Sequence, residues 1–220
     1  MLIISVCFVS SFLSGISLAQ NHVVVIPLIS HSDNKIQTVT SANGRVWMDR
    51  NLGASRAAVS ADDSLAYGWM FQWGRLDDGH QVPISSTDAV LSDGYVPGHT
   101  HFITTDSAPF DWMEQQNNNL WQGVSGINNP CPSGFRLPTK AEWEKERDSW
   151  ITKNPAGAFA SPLKLVEAGY RDYSDGKYYT GGYCWSSTID GVGVYSIYFS
   201  DATITIDRRG YGQSVRCIKD

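Results

Sequence analysis

The sequence predicts an α+β fold, and three observations carry that expectation. Two short stretches with helix signals precede residue 160, a series of short β-branched and aromatic runs punctuated by Gly and Asp follows them, and no strand-helix-strand rhythm links the two. Strands grouped after helices segregate the element types, whereas a doubly wound fold alternates them. With 220 residues, 42% of them hydrophobic and 12% aromatic, the chain has material for one compact core.

Residues 1–19, MLIISVCFVSSFLSGISLA, hold no charged side chain and finish on Ser17-Leu18-Ala19, small residues placed as a signal peptidase requires. They read as an export signal cleaved before Gln20. The missing Lys or Arg at the start keeps an uncleaved anchor as the alternative. No Cys follows a small-residue triplet, so lipid attachment is not expected. Residues 20–34 read as a linker or an edge strand, because Pro27 interrupts the run VVVIPLI and cannot donate to a central ladder. The globular domain is assigned to residues 35–220.

The first element of that domain is a hairpin, in which KIQTVTSANGRVWMD alternates around Asn43-Gly44, a pair that adopts positive φ readily. In SADDSLAYGWMFQWGR, Ser60 or the Asp62-Asp63 pair caps a short expected helix whose apolar stripe is Leu65, Trp69 and Trp73. Residues 76–129 mix polar loop formers with Phe102, Phe110, Trp112, Leu120 and Trp121. That mixture fits loops anchored by aromatics rather than disorder.

The strongest helix start lies in CPSGFRLPTKAEWE. Thr139 and Glu142 have the spacing of a capping box, Pro138 blocks an earlier start, and Trp143 and Trp150 share one face. Asn154-Pro155 with Gly157 is expected to end that element. Beyond it, LKLVEAGYRDY, KYYTGGYCWSST, GVYSIYFSD, ATITIDRR and SVRCIKD read as one antiparallel meander, with a turn at Asp175-Gly176. Alternation along GVYSIYFSD predicts Tyr195, Ile197 and Phe199 inside, with Ser196, Tyr198 and Ser200 outside.

Charge and cysteines exclude several classes. A formal charge of -5 with scattered Lys and Arg leaves no basic stripe for nucleic acid or anionic lipid, so neither is an expected partner. Stable membrane insertion is not expected once the signal is removed. Without Cys7 the chain keeps Cys131, Cys184 and Cys217, enough for at most one internal bridge, and no Cys/His set has zinc spacing.

The chain resembles the Fibrobacter succinogenes major paralogous domain, a bacterial exported module related to the C-type lectin fold and to formylglycine-generating proteins. The resemblance runs through GRVWMDRNLGASR, AYGWMFQWGR, PGHTHFIT, NNLWQG, INNPCPSGFRLPTKAEWE, AGYRD, WSST and SVRCIKD, in that order. It implies a C-type-lectin-like core of two short helices on a twisted antiparallel sheet, with long loops on one side. It also implies a disulfide pairing NPCPSG with SVRCIKD, that is Cys131 with Cys217, and a binding face on the C-terminal strands and loops between Tyr178 and Tyr211. Where the family shows an aromatic before WSST, this chain has Cys184, so no family role carries over to that thiol.

Tyr and Arg suit recognition surfaces, because a rigid amphipathic ring or a guanidinium gives contact area and directional bonds at small entropy cost. Tyr179, Tyr198, Arg208, Arg209 and Tyr211 are therefore the expected ligand-binding residues. His99 and His101, with His80 and Asp106 near in sequence, could be read as metal ligands; loop histidines bonded to backbone are the preferred reading. WSST lacks the acid and amide that lectin-type calcium binding needs. No metal, cofactor or catalytic residue is expected. The sequence thus points to an exported, non-catalytic ligand-binding or adhesion module, secreted, periplasmic or at the cell surface, with an extracellular protein or glycan as ligand. The alternatives are an oxidase of the formylglycine-generating type, which needs two copper-binding thiolates, and a structural envelope component.

Overall fold

The computed structural model describes residues 36–220, so the expected signal (1–19), the expected linker or edge strand (20–34) and the first domain residue, Lys35, lie outside the described residues. In chain order the strands are β1 (Thr38–Thr40), β2 (Val46–Met48), β3 (Phe71–Gln72), β4 (Thr87–Asp88), β5 (Phe102–Ile103) and β6 (Phe135–Arg136). Helices α1 (Lys140–Asp148) and α2 (Pro155–Ala160) follow. Then come β7 (Tyr170–Arg171), β8 (Tyr178–Tyr179), β9 (Tyr183–Asp190), β10 (Gly193–Tyr198), β11 (Thr203–Asp207), β12 (Gly212–Gln213) and β13 (Ile218–Lys219). The architecture is mixed and dominated by sheet, with two short helices, as an α+β reading requires.

The expected single meander is divided among three sheets. Only β9, β10 and β11 form one, in the order β11-β10-β9, whereas β12 and β7 join β3 and β8, and β13 inserts between β2 and β6. The cause is that strands of two residues cannot bury a face by themselves. They are placed by whichever neighbour covers them, and for β12 and β13 that neighbour is far away in sequence. The pair β4-β5 is parallel, a further departure from an all-antiparallel arrangement.

β1 and β2 form the expected hairpin, with Thr40 opposite Val46. Its loop is longer than a two-residue turn: Ser41 N–H donates to the Arg45 carbonyl at 2.8 Å, and Gly44 alone takes positive φ, at 81°. The helix expected after Ser60 is a single 3₁₀ turn, Ser64–Ala66, with Asp63 as its cap. Gly68 at φ 75° turns the chain out of helical geometry, so Leu65 is left 51% exposed, while Trp73 reaches the core beyond β3. The Leu65, Trp69, Trp73 stripe therefore does not exist as a helix face.

α1 starts where its capping box predicts. Thr139 Oγ1 accepts from Glu142 N–H at 3.2 Å, and the Glu142 carboxylate accepts from Thr139 N–H at 2.8 Å. Arg136 adds two bonds to the same carboxylate, at 2.8 and 2.9 Å. Burial opposes the charge on Glu142, but these donors win and hold its pKa down at about 2. Asn154-Pro155 does not end this helix: α1 stops at Asp148, and Asn154 instead caps α2, accepting from Gly157 N–H at 3.0 Å with Pro155 in the first turn.

The sheet of β9 to β11 lies between two apolar clusters. Trp185 and Val194 enter one, with Phe71, Trp73, Trp112 and Trp121; Cys184, Ile197 and Phe199 enter the other, with Trp47, Trp143 and Trp150. Consecutive residues Cys184 and Trp185 are thus both buried on opposite faces, which explains the unbroken burial of Cys184 to Ser187. Indole N–H groups fasten this strand, since Trp73 donates to the Ser186 carbonyl and Trp143 to that of Trp185, each at 3.0 Å.

The same two-sided cover corrects the alternation expected in β10. Ile197 and Phe199 are buried and Tyr198 and Ser200 are half-buried, but Ser196 is interior and Tyr195 is only half-buried. Val194 enters the core on the face of Ser196, and the pairing of β10 with β9 is irregular between Val194 and Ser196. Ser196 tolerates burial because its hydroxyl bonds Asp207, while the Tyr195 hydroxyl reaches outward to Asp190 at 2.6 Å.

Buried arginines hold the loops of residues 76–129. Arg75 donates to the carbonyls of His99 and His101 at 3.0 and 2.9 Å, and Arg171 donates to Ser85 and Gly176 carbonyls while lying 4.1 Å from the Phe102 ring centroid. Cys131 and Cys217 form a disulfide with Cα atoms 5.9 Å apart, joining the segment ahead of β6 to the chain just before β13. Among the described residues no helix is long and apolar enough to cross a membrane.

Candidate binding face

β9 borders β7 and β12 through isolated bridges, Gly169 with Gly182 and Cys184 with Ser214. These bridges bring onto one face tyrosines that lie far apart in the chain. Tyr198 stacks on Tyr183 with centroids 4.5 Å apart, and Tyr183 meets the Tyr170 ring edge-on at 5.2 Å. Tyr170 stacks on Tyr179 at 5.6 Å and meets Tyr211 edge-on at 5.6 Å. Tyr211 contacts Tyr173 at 4.7 Å, Tyr173 contacts Phe110 at 5.1 Å, and the Arg208 guanidinium lies 4.5 Å from the Phe110 centroid. A continuous run of rings therefore connects Tyr198 to Arg208.

Four of the five expected ligand-binding residues, Tyr179, Tyr198, Tyr211 and Arg208, belong to this run. Arg209 does not. It is 1% exposed, 4.9 Å from the Trp73 ring centroid and 3.9 Å from Asp111, with Nη2 donating to Asn118. The turn after β11 sends neighbouring arginines in opposite directions, so Arg209 holds loops from within and Arg208 faces solvent.

The sequence reading missed Tyr170, Tyr173, Phe110, Asp207 and Gln213. The first two stand in GYRDY and had a signal, being tyrosines at the head of the same strand series. Phe110 had none. It sits in a loop at φ 61°, a conformation unusual for a bulky residue, and is kept there by Gly210 N–H, which donates to its carbonyl at 2.9 Å.

Two openings interrupt this face. A small pocket of about 60 Å³ is lined by Tyr170, Tyr183, Asp207, Tyr211 and Gln213. A wider groove of about 470 Å³ runs past Phe110, Val192, Ile206 and Arg208 and shares Asp207 with the pocket. Asp207 Oδ2 accepts from Ser196, from Gln213 Nε2 at 2.7 Å and from Thr205 at 3.3 Å. Burial raises the pKa of Tyr211 to about 12 and pushes those of Tyr170 and Tyr183 upward too, with the negative Asp207 adding to each.

The other candidate groups are placed apart. His80 is buried, accepts from Gln72 N–H at 3.1 Å through Nε2 and pairs with Asp78 through Nδ1; burial holds its pKa down at about 4. His99 and His101 lie 4.0 and 3.7 Å from Asp88. Among the described residues no group of three or more His, Cys, Asp or Glu is placed to hold a metal ion. Cys184 is a buried free thiol whose pKa burial raises to about 12, and the other two described cysteines are joined to each other.

Fold and face define a sheet-dominated α+β domain that presents a tyrosine-rich, partly open surface. Comparison of the chain with protein-family models, with curated proteins and with solved structures finds no match.

Proposed function

We propose that the chain is an exported, non-catalytic ligand-binding or adhesion module of C-type-lectin-like fold, akin to the Fibrobacter succinogenes major paralogous domain, acting in the periplasm, at the cell surface or outside the cell. The observation that carries this reading is the unbroken run of half-exposed tyrosine rings from Tyr198 to Arg208. Rings already packed against one another lose little freedom on binding, and each presents a hydroxyl beside an apolar surface. The disulfide suits an oxidising compartment. A copper site of the formylglycine-generating type needs two thiolates, and with Cys217 bridged, Cys184 has no thiol partner among the described residues.

The test is a screen of the purified protein against glycan and peptide arrays, with Tyr198→Ala and Arg208→Ala beside it. Saturable binding without turnover, weakened at least tenfold in both variants while their melting temperatures stay near the parent's, is the expected result. Undiminished binding by both folded variants would remove this face from the reading.

A further inference from the structure

Asp207 is a half-buried carboxylate whose hydrogen-bond partners are all neutral: the hydroxyls of Ser196 and Thr205 and the amide of Gln213. Among the described residues no Lys, Arg or His makes an ion pair with it; Arg208, its neighbour in sequence, lies instead over Phe110 and Tyr173. A carboxylate drawn out of water without a counter-ion is costly, so such a group marks a place where a cation gains by arriving. The Gln213 amide is fixed in orientation, because Nε2 must face the carboxylate. Its Oε1 is left buried with no partner, and Gln213 is one of the residues that line the same small pocket.

The remaining walls are the rings of Tyr170, Tyr183 and Tyr211. An aromatic face carries negative potential and attracts a cation within about 6 Å of its centroid. Burial raises the phenol pKa values here, and the negative charge of Asp207 adds to each. The adjoining groove, with Phe110, Val192 and Ile206, offers apolar surface to whatever carries the cation.

We infer that the pocket between Tyr170, Tyr183 and Tyr211 takes the protonated amine of a lysine side chain on a protein ligand, with Asp207 as counter-ion and the adjoining groove receiving the alkyl stem and its neighbours. This rests on the reading of the tyrosine face as the recognition surface and specifies its ligand chemistry. A neutral sugar would satisfy the acceptors but would leave the carboxylate charge uncompensated.

The probe is Nα-acetyl-lysine methylamide, titrated into the purified protein at constant ionic strength while tyrosine ring resonances are followed by NMR. The control is the same compound acetylated at Nε, which keeps the stem and removes the charge; methyl glucoside is the sugar arm. Expected are saturable shifts with the amine, affinity at least tenfold lower for the acetylated control, and a loss of at least tenfold in Asp207→Asn, whose carbonyl can still accept from Ser196 and Gln213. Tyr183→Leu is the second variant should Asp207→Asn not fold, and the same loss is expected of it. Equal response to the acetylated control, undiminished affinity in the folded variant, or a response to methyl glucoside alone would overturn the inference. Silence toward the amine in a protein whose array binding still depends on Tyr198 and Arg208 would overturn it too while leaving the recognition reading intact; array binding indifferent to those residues would remove that reading itself.

Discussion

Tyr183 and Tyr198 stand directly opposite each other on β9 and β10, and their rings stack with planes only 18° apart. The pair is half-buried at the end of the sheet, past the cluster that covers Val194 on the same face, whereas Ile197 beside it enters a closed core. Neighbouring positions on one strand thus belong to different energetic regimes. Tyr198→Ala should lower stability by about 1 kcal/mol, the value of an aromatic pair. Ile197→Ala, fully buried, should cost about 2–5 kcal/mol. Denaturant midpoints for the two variants check the contrast, and equal losses would mean that the tyrosine face is core rather than surface.

Arg208 and Arg209 should separate even more widely. Removing Arg209 leaves Asp111 buried without its cation and the loop around Asn118 unbound, so Arg209→Ala should destabilise by about 3–5 kcal/mol. Arg208→Ala removes an exposed guanidinium over Phe110 and should stay within about 1 kcal/mol of the parent. Thermal melts of the two proteins decide this.

Thr139→Ala leaves Glu142 N–H without its side-chain acceptor and should cost about 1 kcal/mol. Thr139→Ser, which keeps the oxygen, should recover most of it. A melt unchanged in Thr139→Ala would show water replacing the cap.

Acid should weaken the same junction. The Glu142 pKa is about 2 in the fold against an ordinary 4.5, so the unfolded chain binds the proton more readily. The stability this gives is complete above pH 4.5 and is lost as pH falls toward 2, with a ceiling of about 3 kcal/mol. Glu142→Gln should lower stability at neutral pH and flatten the decline across that window. Stability measured against pH for both proteins shows whether the two curves converge in acid.

Alkylation of the native, unreduced protein should leave the Cys184 peptide unlabelled and recover Cys131 and Cys217 as one cross-linked peptide. Unfolding should expose Cys184 to the reagent. With the two cysteines 86 positions apart in sequence, the chain-entropy account gives the bridge a contribution of about 4.6 kcal/mol, so reduction should lower the denaturant midpoint markedly. A cross-link from Cys184 to either partner would contradict the fold.

The sequence by itself determined what is local. The capping box of Thr139 and Glu142, the hairpin around Gly44 and the turn at Gly176 depend on residues a few positions apart, and each stands where its spacing placed it. The resemblance, in addition, supplied the pairing of Cys131 with Cys217, which the fold contains. Tertiary structure decided the rest. Ser196 is buried because β10 is covered on both faces, and no alternation pattern reports a second cover. Arg209 points inward because Asp111 and Trp73 await it there, while Arg208 beside it points out. The pocket itself joins Tyr170 from β7, Tyr183 from β9, Asp207 from β11 and Gln213 from β12. Strands of two residues carry almost no register information of their own, so which of them meet is set by long-range packing, and the candidate site exists only once that packing is complete.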